Sequence, residues 1–466
     1  MLDFTGKTVS LIGYGVSNRA LGEHLRSRGI DFVVRCRDGG QVQNGQNRTA
    51  PEGDRAACAQ RRDTKNGCES IAQACDTKNG CESNMQGCVV GKSYLDTRED
   101  IVFRSPGVNP KLIRGGGRVY TEVGYALEMA KCKKIGVTGS DGKTTTVTLI
   151  HQMLRAGGKG AYLCGNIGYP AIDAAAVACS EDYMVAELSS FQLMDMAPCL
   201  DVAAVTNISQ NHLDWHADMD EYICAKKNIV KNASLAVLNY DDFVVRSFEA
   251  EKKIYFSLGD RRDLVLKGQD FVHVVHGNVC YNECVLFPVS HVKLRGEYNL
   301  QNVLCAIGCT HGIVDGQSCH RVAKEFCGVG FRGECVGVKN GVAFINSAID
   351  TTPTRTKNTL SAFDITKVIA ILGGYDKNLD YSCLKEALAG AKAVILCGEN
   401  REKIGAAVKR RVINVNTLNE AVDVAKSLAS QGDFVILTPA SASFDMFKDY
   451  KEKGRCFTSA CDLALS

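Results

Sequence analysis

One segment restricts the folds open to this chain more than any other. The run Lys134-Ile135-Gly136-Val137-Thr138 is short and apolar, passes directly into Gly139-Ser140-Asp141-Gly142-Lys143-Thr144-Thr145, and is followed by a helix-like stretch at 147–154. Strand, glycine turn and helix in that order belong to an α/β sheet whose strand ends open onto the ligand side. Glycines at 139 and 142 let backbone amides turn inward to cradle phosphate, and Lys143 brings a cation to the transferring group. Counted from Gly136, the run reads Gly-x-x-Gly-x-x-Gly-Lys-Thr-Thr, a phosphate-binding loop in the context that such a motif requires, with Thr144 or Thr145 able to ligate magnesium.

The rest of the chain repeats the α/β pattern. Residues 8–12 form an apolar run that ends in Gly13-Tyr14-Gly15-Val16-Ser17-Asn18 and passes into helix-like spacing at 21–25, and a second strand is expected at 31–35. The dinucleotide motif there is incomplete: Asn18 replaces a third glycine, and Cys36 and Arg37 stand where an acid would end the second strand. A plain Rossmann-like domain fits better than a NAD-dependent dehydrogenase, which would leave the phosphate loop unexplained. Strands are expected at 101–108, leading into a turn, and at 183–186, 202–205 and 235–238 behind the phosphate loop. A third set falls at 368–372, 393–396 and 434–437. The fold class is therefore α/β with three domains: a Rossmann-like domain at 1–121, a central P-loop ATPase-type domain at 122–328 and a Rossmann-like C-terminal domain at 329–466.

Residues 38–88 break the pattern. They are polar and glycine-rich, and Asp63-Thr64-Lys65-Asn66-Gly67-Cys68-Glu69-Ser70 recurs as Asp76-Thr77-Lys78-Asn79-Gly80-Cys81-Glu82-Ser83. Such a segment buries too little apolar area to offset its ordering and reads as an insertion. Its cysteines 58, 68, 75, 81 and 88 form no Cys-x-x-Cys pair, which is poor spacing for zinc. Elsewhere the 22 cysteines include Cys164, Cys224, Cys305 and Cys397, each within an apolar run and expected in a core. With 55 Lys and Arg against 52 Asp and Glu, the net charge of +3 supplies no broad basic field for nucleic acid or a membrane surface. No stretch approaches the ~20 apolar residues of a membrane span. The expectation is a cytoplasmic protein with small-molecule partners.

Further polar clusters end the central strands. Glu187 follows 183–186 and leads into Leu188-Ser189-Ser190-Phe191-Gln192; a carboxylate there could take magnesium bridging ATP phosphates. Thr206-Asn207-Ile208-Ser209-Gln210-Asn211-His212-Leu213-Asp214-Trp215-His216 follows the next strand and places imidazole and carboxylate near the phosphates, and Lys226 and Lys227 sit on a helix 14 and 15 positions after His212. Together with the phosphate loop, Gly165-Asn166-Ile167-Gly168, Glu187-Leu-Ser-Ser-Phe-Gln-Leu193 and Asn211-His-Leu-Asp214 give a chain that resembles the Mur ligase family, and within it the D-glutamate-adding members. The resemblance spans nearly the whole chain apart from 38–88. Gly296-Glu297-Tyr298-Asn299-Leu300-Gln301-Asn302, Phe331-Arg332, Asn346-Ser347, Gly373-Gly374-Tyr375-Asp376-Lys377 and Pro439-Ala440-Ser441-Ala442-Ser443-Phe444-Asp445 strengthen it.

The resemblance implies an ATP-dependent amide ligase of peptidoglycan precursor synthesis, joining D-glutamate to UDP-N-acetylmuramoyl-L-alanine through an acyl phosphate. Its donor substrate would meet Val16, Ser17, Asn18, Ser105, Pro106, Gly107 and Asn166. ATP would meet Gly139, Ser140, Asp141, Gly142, Lys143, Thr144 and Thr145, with Asn299 and Asn302 at adenine and Arg332 at the γ-phosphate. Two magnesium ions would rest on Thr144, Glu187, His212 and Lys226, the last as a carbamylated lysine. Lys143, His212 and Lys226 would be catalytic, and Lys377, Ser443 and Phe444 would hold D-glutamate. The enzyme would act as a monomer. Another Mur-type or folylpolyglutamate-type ligase, and a nucleotide-binding homologue without activity, are the alternatives. The chain departs from the family where Tyr298 and Phe331 each replace a usual His, and where Ser347 and Ile349 stand in a stretch that commonly carries Asp and Lys.

Overall fold

The computed structural model describes residues 2–37, 88–212, 215–377 and 379–462. The repeat and most of the 38–88 insertion lie outside them, as do Leu213 and Asp214. Three sheets are present among the described residues, in two compact units. One unit comprises the chain up to Val289 together with Gln301–Val322; the other comprises Ser290–Leu300 and the residues from Ala323 on.

The first sheet runs in the order Cys88–Val90, Val33–Cys36, Val9–Ile12, Ile101–Arg104, Arg118–Thr121, all parallel. Val9–Ile12 and Ile101–Arg104 are buried at every position, which is why they read as unbroken runs rather than alternating ones. A strand at Cys88–Val90 precedes the one expected at 101–108. Cys88 pairs with Val34 at the sheet edge, where backbone hydrogen bonding replaces the missing apolar signal.

The second sheet has nine strands, with Lys133–Thr138 between Cys199–Val205 and Tyr183–Glu187. Its far edge, Asp270–Val275, Asn278–Tyr281 and Cys284–Pro288, is an antiparallel meander. The helix after the phosphate loop is Lys143–Ala156, longer at both ends than the apolar run implied, with Leu149, Ile150, Met153 and Leu154 fully buried. Each such side chain contributes roughly 1.5–3 kcal/mol relative to exposure. A single apolar core joins the first two sheets, from Leu11 and Phe103 through Ala126 and Ile172 to Leu188 and Leu238.

The third sheet, in the second unit, runs Glu334–Lys339, Val342–Asn346, Phe434–Leu437, Val368–Leu372, Ala393–Leu396, Ile413–Asn414. It is parallel except for its first pair and carries a core on each face. Of the four cysteines expected inside, Cys164, Cys305 and Cys397 are buried but Cys224 is exposed. The helix Met219–Lys227 turns Tyr222, Ala225 and Lys226 inward, which leaves position 224 on its outer face.

Candidate active site

The loop at 139–145 is built by close approach. Gly139 has φ +148°, and a Cβ there would lie 1.9 Å from Thr206 Oγ1; Gly142 has φ +80°, and a Cβ would lie 2.2 Å from Asn302 Oδ1. Only glycine fits either position. The neighbouring strand end then staples the loop: Ser140 N donates to Asn207 O (2.8 Å), Asp141 N to Asn207 Oδ1 (2.9 Å) and Thr206 Oγ1 to Asp141 O (2.6 Å). Gly142 precedes the helix Lys143–Ala156, and no side chain caps that helix. Its first amides, with the positive end of the helix dipole, face the loop as an anion site.

Strand register brings the other groups to the same place. Val137 pairs with Glu187, and Thr138 with Val205. Thr144 Oγ1 donates to Glu187 Oε2 at 2.7 Å, and Asn166 Nδ2 to Glu187 Oε1 at 2.8 Å. A hydroxyl and a buried carboxylate side by side are hard oxygen donors of the kind magnesium takes. Lys226 is 2% exposed, and its Nζ donates to Gly139 O at 2.7 Å. Lys143 Nζ donates to the same carbonyl at 2.7 Å and to Ser140 O at 2.8 Å. Burial drives the Lys226 pKa well below the ordinary lysine value, and the Lys143 cation lowers it further against the opposing pull of Asp141 and Glu187.

His212, at φ +56°, lies with its ring 4.9 Å from Phe191 and 6.5 Å from Tyr222. Tyr222 links it inward, sharing a 2.8 Å hydrogen bond with Ser140 Oγ while its ring lies 4.7 Å from Lys226 Nζ. The Tyr222 phenol is pushed up to about 12 by burial. His216, at the end of the 206–216 cluster, is buried, with Nε2 2.9 Å from Ser190 Oγ, and burial holds it below the usual imidazole range. Asn302 sits one turn into the same site, its Oδ1 3.2 Å from Thr146 Oγ1, whereas Asn299 on that helix donates to Arg295 O at 2.7 Å.

A small cleft beside Glu187 is lined by Val16, Ser17, Pro106, Asn166 and Gln192 among others. Asn18 lies beneath it, fully buried, its Nδ2 donating to Ile12 O and Gly13 O at 3.1 and 2.7 Å, so it shapes the Gly13 turn.

In the second unit, two loops meet at the strand ends. Tyr375 N donates to Ala442 O at 2.9 Å, which brings the stretch with Lys377 against the stretch with Ser443 and Phe444. Asn400 fastens them, accepting from Gly374 N at 2.9 Å and donating to Ser441 Oγ at 2.6 Å. Ser443 Oγ is buried with no hydrogen-bond partner among the described residues, and Phe444 is 65% exposed. Near Ser347 and Ile349 the structure shows a buried carboxylate, Asp350, that accepts from Thr359 Oγ1 (2.7 Å) and Thr438 Oγ1 (3.0 Å). Burial raises its pKa, and the Arg332 charge opposes that rise. No sequence signal marks Asp350 or Asn400, whose partners include Thr438, 88 positions from Asp350, and Ser441, 41 positions from Asn400.

Family models for the Mur ligase middle domain and for the Mur ligase glutamate ligase domain match residues 137–310 and 331–441. The chain is 39% identical to the UDP-N-acetylmuramoylalanine--D-glutamate ligase of Clostridium tetani, over 79% of this chain and 84% of that protein. The chain belongs to the Mur ligase family. The same ligase of Ruminiclostridium cellulolyticum is 33% identical over 98% of this chain and 96% of its own. Among solved structures, the Mur ligase fold is shared with UDP-N-acetylmuramate-alanine ligase of Thermotoga maritima, at TM-score 0.56 and 17% identity over 97% and 98% of the two chains. It is also shared with a bifunctional folylpolyglutamate synthase/dihydrofolate synthase of Yersinia pestis, at TM-score 0.53 and 14% identity over 73% and 92%.

Proposed function

We propose that this Mur ligase joins D-glutamate to UDP-N-acetylmuramoyl-L-alanine, forming ADP and phosphate. The observation that carries the reading is the meeting of Thr144, Glu187, Lys143 and Lys226 around the Gly139 carbonyl and the uncapped helix start, in a chain 33–39% identical to ligases of that name. The folylpolyglutamate synthase shares the fold at 14% identity, which says nothing of its substrate here.

In this reading the phosphate loop binds ATP, and Lys143 holds the γ-phosphate through the charge it now spends on loop carbonyls. A donor-substrate carboxylate oxygen attacks the γ-phosphorus, ADP leaves, and an acyl phosphate results. The D-glutamate amine then attacks the acyl carbon; the tetrahedral intermediate expels phosphate and loses a proton, leaving an amide. Thr144 and Glu187 would hold one magnesium ion, with His212 and a carbamylated Lys226 on a second. Magnesium supplies charge neutralisation for the phosphates. The lowered pKa of Lys226 fits carbamylation, because only the neutral amine adds to CO2, giving a carbamate and a proton. Val16, Ser17, Ser105, Pro106, Gly107 and Asn166 would receive the donor, with Asn18 supporting them. Asn299 and Asn302 would flank adenine, Arg332 would reach the γ-phosphate, and Lys377, Ser443 and Phe444 would hold the D-glutamate carboxylates. The same reading divides the chain at 121/122 and 328/329 and makes it a cytoplasmic monomer.

Phosphate release measured with the UDP-linked donor and a panel of amino acids tests the proposal. D-glutamate should stand out, and release with another amino acid alone, or none at all, would reject it. Light scattering would check the monomer.

A further inference from the structure

Arg104 ends the strand Ile101–Arg104, and its side chain is completely buried. The guanidinium spends every nitrogen. Nε and Nη2 grip Asp195 at 2.8 and 2.5 Å in a two-pronged ion pair, Nη2 also donates to Phe191 O at 2.6 Å, and Nη1 donates to Pro106 O at 3.4 Å and Val108 O at 3.1 Å. One planar group thus fastens the turn at 105–108 to the segment that follows Glu187, although the paired residues are 91 positions apart.

The surroundings show what this fastening controls. Pro106 and Asn166 line the same cleft, and Asn166 is itself held by Glu187. Phe191 packs its ring 4.9 Å from His212 and 4.3 Å from Trp215, and Trp215 Nε1 donates back to Gly107 O at 3.5 Å. Lys111 pairs with Glu221 on the helix that carries Lys226. Arg104 is the buried centre of this seam, and the other links are nearer its rim. Arg104 is wholly buried while the Asp195 side chain is 22% exposed; such a pair adds little net stability, but a rigid fork on a carboxylate fixes geometry.

We propose that the Arg104–Asp195 pair is a positioning element for the acyl donor, holding the 105–107 turn in register with the 187–193 segment so that the donor carboxylate is presented to the phosphate loop. It rests on the reading that the cleft at Ser17, Pro106 and Asn166 receives that donor. Arg104 touches no substrate in this scheme; it acts through the turn.

The test uses the full chain with ATP and magnesium. Kinetics are measured for Arg104→Lys and for the double variant Arg104→Met/Asp195→Leu, which removes both charges and so avoids stranding a buried one. The double variant should melt several degrees lower, because the Phe191, Pro106 and Val108 carbonyls lose their donor, with kcat/KM for the UDP-linked donor reduced about tenfold or more and KM for ATP within about twofold. Arg104→Lys, which keeps the charge but loses the fork, should fall between. Unchanged donor kinetics would overturn the proposal, and so would a parallel loss for donor, ATP and melting temperature, the signature of a plain structural strut. Ser17→Ala and Asn166→Ala decide the underlying reading separately: unchanged donor KM in both would remove the donor from this cleft whatever Arg104 does.

Discussion

Two lysines occupy matching places in the two units and live under opposite electrostatics. Lys226 and Lys453 are both buried, each lies on a helix, and each donates to the carbonyl of a glycine that follows a strand, Gly139 at 2.7 Å and Gly373 at 2.6 Å. Burial lowers both pKa values. The next influence differs in sign. Lys226 faces a second cation, Lys143, which lowers it further, while Cys397 and Asp445 pull Lys453 back up. One lysine is driven toward the neutral amine beside oxygen donors that suit a metal, and the other is kept as a tether for the Gly373 turn. Position alone does not make a lysine chemical; the neighbouring charges decide.

The harshest test of that contrast is Lys143→Ala. It removes the cation proposed at the γ-phosphate, and ATP-dependent amide formation should fall by about 10³-fold or more with the fold intact. Circular dichroism and phosphate release together would check it, and turnover within tenfold of wild type would dismantle the mechanism.

Next come the two lysines themselves. Lys226→Ala should lower turnover about 10²-fold, with partial recovery in formate or acetate, since a free carboxylate can replace a carbamate. Lys453→Met should instead lower stability by roughly 1–3 kcal/mol through the stranded Gly373 carbonyl, a drop of several degrees by calorimetry. No carboxylate should rescue it. Recovery of both variants, or of neither, would erase the distinction between a reactive and a structural lysine.

A smaller effect sharpens the same point. At pH 7 an ordinary lysine is neutral in only about one part in 2,500, so carbamylation calls for a lowered value. Enzyme stripped of CO2 should regain activity severalfold on addition of bicarbonate, more slowly as pH falls because Lys226 then takes a proton. Lys226→Ala should be indifferent to bicarbonate.

The contrast also marks what the sequence makes legible. The glycines of the phosphate loop, Lys143, Thr144 and Glu187 could be read because strand, turn and helix sit in order along the chain. The strands at 368–372, 393–396 and 434–437 appear as expected, because burial on both faces leaves unbroken apolar runs. Arg118–Thr121, at a sheet edge, and the meander at 270–288 escaped, since Arg118 and Asp270 open their strands with charge and the meander mixes exposed with buried positions. Arg104 reads as an ordinary strand-end cation until Asp195 folds onto it. Lys453 gives no warning that it is buried, and Cys224 gives none that it is exposed.

A buried acid offers the mirror image of the lysines and the smallest expected effect. Glu122 opens the helix Glu122–Met129 and is almost wholly buried, with Oε1 accepting from Ile172 N at 2.6 Å. Burial raises its pKa to about 8, helped by the nearby Asp173 charge and opposed by the Ile172 and Ala171 amides. In the folded chain the proton is therefore retained up to about 8, whereas in the unfolded chain it leaves near the ordinary carboxyl value of 4.5. The folded state binds more protons across that window, so the stability tied to Glu122 is complete below about pH 4.5 and is lost as pH rises through about 8. Glu122→Gln, which copies the neutral form, should flatten the fall in melting temperature between pH 5 and pH 8.5. It should also leave the variant more stable than wild type at the alkaline end, by on the order of 1–3 kcal/mol. A variant whose melting temperature tracks wild type across that range would show that Glu122 ionises in place. Burial, which lowers both lysines and sets the direction of their shifts, would then fail to set it for an acid in this fold.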